Sequence, residues 1–190
     1  MLPIDAGAIL LPIARATIAS ALGRHMAASS DAPWLQEPGA SFVTLTQSGA
    51  LRGCMGTLEV RQSLLADIQN NARAAAFHDP RFAPLAAQEL EATDIEVSVL
   101  SALQPMRFGG EADALSQLRP GIDGVVFTFG HHRSTFLPQV WEQLPNPKTF
   151  MAHLKRKAGL AADFWADGVN LQRYTVTKWT EPGASPTHAS

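Results

Sequence analysis

One cysteine, Cys54, occurs in the 190 residues, so no intrachain disulfide can form and no multi-thiolate zinc site can be assembled. Charge of neither sign dominates. Fifteen Lys and Arg stand against 17 Asp and Glu, for a formal net charge of −2, and the isoelectric point is about 6.3. Such a balance provides no field to gather a polyanion, so nucleic acid is not an expected partner. Long apolar runs are missing too. The start, Met1-Leu2-Pro3-Ile4-Asp5, has no basic region, and the apolar stretch after it is broken by Arg15, Ser20 and Arg24. Neither a signal peptide nor a membrane span is expected, and the cytoplasm is the default location. The sequence contains no Gly-x-Gly-x-x-Gly after a strand, no Walker-type phosphate loop, no His-Glu-x-x-His and no paired-cysteine motif. Nucleotide hydrolysis and zinc proteolysis therefore lack support, no metal site is expected, and no cofactor is specified.

What is present describes a globular chain. Hydrophobic residues make up 46% and charged residues 17%, enough apolar content to bury a core without covalent staples. The length fits one domain, taken as residues 1–180, with a low-complexity tail at 181–190 expected to be frayed.

Leu10, Leu11, Ala14, Ile18, Ala21 and Leu22 recur at helical spacing and predict a first, core-packed helix. Breaker clusters at Ser29–Pro33 and Glu37–Gly39 predict a loop that Trp34 and Leu35 pin down. Phe42–Thr46 reads as a strand, Gln47–Ala50 as a hairpin turn, and a second strand should start at Leu51. Ser63 is placed to cap a helix that buries Leu64, Leu65, Ile68, Ala72 and Ala75 and ends before Asp79-Pro80. Asp94–Val99 alternates strictly, which puts Ile95, Val97 and Val99 on one face of a strand and Asp94, Glu96 and Ser98 on the other. Further elements are a short helix at 111–118, a strand over Gly124–Phe129 and a turn at Gly130-His131-His132. Asn146-Pro147 opens a helix closed by Gly159, and a last strand over Val169–Trp179 closes the sheet. Hairpins beside helical crossovers predict a mixed sheet flanked by helices rather than a doubly wound parallel one.

The segment Leu51-Arg-Gly-Cys-Met-Gly56 sets the lone thiol between two glycines, with a guanidinium two residues before it. Gly53 and Gly56 can take positive φ or admit a ligand, and their N–H groups can then form an anion-binding concavity. Arg52, turned toward Cys54, would favour the reactive thiolate. The plainer reading is that the glycines allow a sheet to pack tightly on a helix and that Cys54 is a small buried hydrophobe. Both stand on spacing alone.

Six segments in order, Phe42–Leu45, Leu51–Gly56, Asp79-Pro-Arg-Phe82, Ile95–Ser101, Thr135–Val140 and Lys157–Leu160, resemble the AMMECR family, also called AmmeMemoRadiSam system protein A. The match spans nearly the whole domain. The resemblance implies an α+β fold with a largely antiparallel central sheet, helices around it, a smaller lobe and a cleft near the Arg-Gly-Cys motif. It implies no established reaction. It does imply, as partners, a Memo-like protein related to extradiol dioxygenases and a radical-SAM protein. Met55 departs from the usual isoleucine, and the surroundings of His131-His132-Arg133-Ser134 vary. The positions that carry over are Arg52, Gly53, Cys54, Gly56, Asp79, Arg81 and Glu96.

The remaining candidates each have two readings. His131 and His132 are either a base for a nearby thiol or solvated turn residues. Asp79 and Arg81 flank a proline turn, where a carboxylate bonds backbone N–H groups and an arginine clamps a carboxylate or an anionic ligand. Glu96 meets water, or lines a cleft and pairs with an arginine. The basic helix end His153–Lys157 reads as a solvated, dipole-matched terminus. Three functions compete. The leading one is a small-molecule enzyme or enzyme component with Cys54 as nucleophile or ligand contact, Arg52 and the glycine backbone holding an anionic group. The second is a non-catalytic module that docks a Memo-like or radical-SAM partner, and the third assigns the motif to folding alone.

Overall fold

The computed structural model describes residues 2–181. The chain forms two compact units: one runs up to Leu100 and resumes at Thr177, the other is Ser101–Val176. Of the expected tail, Glu181 is described and 182–190 lie outside the described residues.

The first unit starts with helix α1 (Gly7–Ala21), which buries Leu10, Ala14 and Ile18 as its periodicity predicts and Ile13 besides, while Leu11 and Leu22 are half-buried and Ala21 is exposed. A short 3-10 turn at Pro33–Gln36 buries Leu35. Strand β1 (Pro38–Gly39) leads into β2 (Ser41–Gln47) and β3 (Ala50–Gly56). Ser48 and Gly49 join the last two, both at positive φ, 50° and 79°. Such a pair of residues matches the right-handed twist of the flanking strands in a two-residue hairpin. Strand β4 (Gln62–Ser63) pairs with β1, and Ser63 caps helix α2 (Leu64–Phe77) by accepting the Ala66 N–H. A second 3-10 turn, Ala87–Ala92, precedes β5 (Asp94–Leu100).

In the second unit follow β6 (Gln104–Pro105), α3 (Glu111–Gln117), β7 (Gly124–Phe129), β8 (His132–Phe136), α4 (Pro147–Lys157) and β9 (Asn170–Tyr174). The last strand, β10 (Val176–Thr180), carries the chain into the first unit's sheet.

In place of one central sheet there are two of four strands, ordered β10-β5-β2-β3 and β6-β9-β7-β8. The pairings β2–β3, β2–β5, β6–β9, β7–β8 and β7–β9 are all antiparallel, so the α+β class stands. The expected final strand over Val169–Trp179 is divided at Thr175, whose N–H is donated to Ser101 Oγ at 2.9 Å while its carbonyl accepts the Ser101 N–H. Those bonds take the backbone groups that a continuous ladder would need. Strand β8 replaces the tail of the expected turn at His131-His132. Its residues, His132–Phe136, bury only Ser134 fully and so show no apolar alternation.

Each unit has its own core. In the first, Val43 and Leu45 of β2 and Ile95, Val97 and Val99 of β5 face the buried sides of α1 and α2. Asp67 and Asn71, one turn apart on the buried side of α2, fasten that helix to β2. Asp67 Oδ2 accepts from the Ser41 N–H and Oγ, both at 2.7 Å, and from Asn71 Nδ2 at 2.9 Å. In the second, Val125, Phe127, Trp141, Phe150 and Leu154 pack together, and Trp141 stacks on Phe150 at 3.8 Å between ring centroids. Asn146 caps α4 through the Lys148 and Thr149 N–H groups, and Gly159 ends it at φ +83°. The expected solvated end of α4 is corrected at Lys155: its side chain is 1% exposed and its Nζ donates to Glu111 Oε1 at 2.5 Å. Burial of an ammonium requires such a partner.

Arg15 of α1 ties together the parts of the first unit that arrive last in the chain. It donates to the carbonyls of Leu90 (3.1 Å) and Thr93 (2.6 Å) and forms a two-pronged pair with Glu181, whose carboxylate also accepts the Ile95 N–H. We expect Arg15→Met, which strands two carbonyls and a mostly buried carboxylate, to lower unfolding stability by about 3 kcal/mol in urea titrations. An unchanged midpoint would contradict this role.

Candidate functional site

Strand β3 lies at the edge of the first sheet and brings the Arg-Gly-Cys motif there. Its register against β2 pairs Leu45 with Gly53, Thr44 with Cys54 and Phe42 with Gly56. Side chains alternate along a strand, so Gly53 and Met55 share the face of Leu45 and Val43, which is the core face, while Cys54 and Gly56 share the opposite one. Between Leu45 and Thr46 the register shifts, because Thr46 pairs with Leu51 and Arg52 is the extra residue of a bulge.

Neither motif glycine has positive φ, so the positive-φ route to an anion-binding concavity is not taken. Gly53 is needed for close approach. A Cβ on it would lie 2.2 Å from the Ala75 carbonyl oxygen of α2. Gly56 is required by its neighbour across the ladder, since a Cβ there would stand 2.1 Å from the Phe42 ring.

The charged groups around the motif are committed in a definite way. Arg52 donates Nε and Nη2 to the two carboxylate oxygens of Glu89, at 2.9 and 3.1 Å, rather than to the thiol. Glu89 also accepts the Ala86 N–H at 2.8 Å and Gln47 Nε2 at 3.2 Å. The Arg52 guanidinium, with these donors, holds the Glu89 carboxyl down at about 2. Arg52 Nη1 is sealed from solvent with no hydrogen-bond partner.

Asp79 is buried, 2% exposed, and receives four donors: the Cys54 N–H at 2.9 Å, its own turn's Arg81 N–H at 3.1 Å, Arg81 Nε at 2.9 Å and Arg81 Nη2 at 2.7 Å. The Arg81 guanidinium, first among these, keeps the Asp79 carboxyl far below the usual carboxylate range. Arg81 Nη2 also reaches the Cys54 carbonyl at 3.5 Å. The Asp79-Pro-Arg turn thus grips both backbone polar groups of Cys54 at the edge of the sheet.

Cys54 itself is half-buried, and its sulfur accepts the Thr44 hydroxyl at 3.4 Å. Glu96 stands on the far side of Thr44 in the ladder. It accepts from Ser98 Oγ at 3.4 Å and pairs with Lys178 of β10 at 3.6 Å, so its partner is a lysine and not the expected arginine. Lys178, Glu96, Thr44 and Cys54 therefore form one polar row across the four strands. His131 and His132 belong to the second unit, where their rings lie 4.2 Å apart and His132 Nδ1 is 2.9 Å from the Ala158 carbonyl. Among the described residues there is no cluster of three or more His, Cys, Asp or Glu able to hold a metal, and no helix long and apolar enough to cross a membrane.

Sequence reading missed Thr44 and Glu89. Thr44 becomes visible once the hairpin is put in register, because a two-residue turn at Ser48-Gly49 places it opposite Cys54. Nothing in the local sequence marks Glu89, which is brought in by the bulge at Arg52.

Two antiparallel sheets with flanking helices, and a lone-cysteine strand edge gripped by an Asp-Pro-Arg turn, define an α+β protein with a motif-bearing hairpin. The family model AMMECR1 matches residues 11–179, and the chain belongs to that family. It is similar to a protein of Methanothermobacter thermautotrophicus, 36% identical with 94% of this chain and 96% of the other covered. It is also similar to protein MJ0810 of Methanocaldococcus jannaschii, 31% identical with 95% and 92% covered. The crystal structure of uncharacterized protein PH0010 from Pyrococcus horikoshii aligns with a TM-score of 0.76 at 28% identity, covering 95% of this chain and 93% of that one.

Gly53→Ala is expected to cost about 1–3 kcal/mol, because strand and helix must part to admit the methyl group. Wild-type stability in that variant, by thermal or urea unfolding, would remove the packing role. Glu89 gives a second expectation. Its folded value lies below the ordinary 4.5, so the unfolded chain binds the extra proton, and the stabilisation is full above 4.5 and lost as pH falls toward about 2. Glu89→Gln should flatten that part of the stability profile, and an identical acid limb would contradict it.

Proposed function

We propose that the side of the first sheet carrying Cys54 and Thr44 is the working surface, and that it takes a small molecule bearing an anionic group. In this reading Arg81 supplies the cation, and Cys54 touches the bound molecule as ligand contact or nucleophile. The observation that carries the reading is the fixed thiol beside an available guanidinium. Asp79 and Arg81 hold the Cys54 peptide, Thr44 holds the sulfur, and the Arg81 side chain is 54% exposed. Nε and Nη2 carry its internal bonds, which leaves the Nη1 end for an external acceptor. Gly53 supports the surface from behind, Arg52 holds the bulge beside it, Gly56 leaves room on the working face for the Phe42 ring, Asp79 positions the Cys54 backbone, and Glu96 closes the polar row. The protein acts in the cytoplasm as one functional domain.

A second reading is favoured by a different observation. Leu51, Leu58 and Val60 are exposed apolar residues on β3 and just after it, and such residues suit a non-catalytic module that docks a Memo-like or radical-SAM protein. Under it, Leu58→Asp abolishes co-purification with the partner and Cys54→Ser leaves it intact.

Comparing alkylation of Cys54 by anionic iodoacetate and neutral iodoacetamide tests the first reading. A cation beside the thiol should raise the iodoacetate to iodoacetamide rate ratio roughly tenfold over that of Arg81→Gln at low ionic strength, and added salt should erase the gain. Equal ratios in the two proteins would discard Arg81 as the anion-holding group. A thiol that neither reagent modifies in the folded protein would discard Cys54 as a contact.

A further inference from the structure

A groove of about 740 Å³ lies within the first unit, lined by Gly7, Ala8, Leu11, Pro12 and Arg15 of α1, by Met26 and Ala27, and by Lys178–Glu181. Its size falls in the range of ligand-binding clefts. Three consecutive residues of β10 and Glu181 just after it line the groove, which happens when a strand presents its edge rather than a face. The sheet order ends at β10, so among the described residues no strand pairs with its outer edge. The Glu181 N–H is donated to Ile95 of β5 at 3.1 Å. Backbone direction alternates along a strand, so the N–H and C=O groups of Thr180 and Lys178 point away from β5, toward the open side. The facing wall has an acceptor of its own. Pro12 stands inside α1 and has no N–H, which deprives the Ala8 carbonyl of its usual helical donor. Trp179 packs flat against Gly7, where a Cβ would come within 2.5 Å of the ring, and so forms an apolar floor.

The charges select the occupant. Arg15 and Glu181 satisfy each other, whereas Lys178 is 54% exposed and held only by its 3.6 Å contact with Glu96. The groove's own lining thus carries two cations, Arg15 and Lys178, against one carboxylate, Glu181, and Glu96, the counter-ion of Lys178, lies outside that lining. The lining from Lys178 to Glu181 spans about 13 Å, enough for four residues of extended chain. We propose that this groove docks an extended segment of a partner protein, apolar with one acidic side chain, which adds to the first sheet as a fifth strand beside β10. Backbone bonds to Lys178 and Thr180 supply its hold, Leu11, Met26 and Trp179 receive its apolar side chains, and Lys178 receives its carboxylate.

The test is a pool of labelled, acetylated seven-residue peptides in which valine alternates with every other residue type, titrated against the full chain by fluorescence anisotropy. Peptides that bind should carry Asp or Glu at one position. Methylating their alternate backbone nitrogens should weaken them at least tenfold in one register only. Lys178→Glu should invert the preference from acidic to basic peptides. Thr180→Pro, a substitution that an edge strand tolerates, should abolish binding at an unchanged melting temperature, and Leu11→Glu gives a second route should that variant not fold. Failure of every peptide in the pool, indifference to backbone methylation, or an unaltered preference in Lys178→Glu would each overturn the proposal. Self-association of the chain that Thr180→Pro or Leu11→Glu abolishes would assign the edge to a second copy and overturn it likewise.

Discussion

The bond from the Cys54 amide to the buried carboxylate of Asp79 is the constraint on which the motif's geometry depends. A sheet edge exposes backbone donors and acceptors that a neighbouring strand normally satisfies. Here a side chain does so, and the Arg81 that neutralises that side chain turns to the carbonyl of the same residue. Without Asp79 the N–H would need water, Arg81 would lose its anchor, and the turn after α2 would have no attachment to β3. Gly53 closes the arrangement from the other face. Its missing side chain allows the Ala75 carbonyl to approach the strand, so the helix that ends just before Asp79 delivers the turn to the right height.

Much of the motif's chemistry is therefore directed inward. Arg52 and Glu89 form a partly buried, two-pronged pair whose cost of desolvation is offset by further donors from Gln47 and Ala86. The glycines answer packing needs, Gly53 against the Ala75 carbonyl and Gly56 against the Phe42 ring. What remains outward is a short polar series, sulfur, hydroxyl, carboxylate and ammonium, each supplied by a different strand of one sheet. A series of that kind is fixed by strand register, so its spacing is as rigid as the ladder beneath it.

The elements whose periodicity is set by burial were legible in the sequence. Helix α1, the β2–β3 hairpin, α2 with its Ser63 cap, β5, β7 and α4 with Asn146-Pro147 all lie where spacing and caps place them. β8 was not, because its buried contribution is a serine, and the two-residue strands β1, β4 and β6 are too short to show a period. The division into two sheets was hidden for another reason: β9 and β10 follow one another with a single residue between them, and only tertiary pairing separates their destinations. At the site, the identity of the gripping turn was readable from Asp79-Pro-Arg81, while the partner of Arg52 was not. A bulge redirects Arg52 by one position, and no residue type near it announces the irregularity. Asp67 could have been found, as an acid set between Leu64 and Ile68 on an otherwise apolar helix face.

The grip of Asp79 and Arg81 also makes the first sheet polar in the directional sense. At one boundary the hydrogen-bonding positions around Cys54 are already filled by a turn of the same molecule, and at the other no strand among the described residues takes those of β10. A sheet closed on one side can accept a single added strand but cannot pass the template on. Stacking of identical molecules edge to edge would require both boundaries, and this chain supplies one.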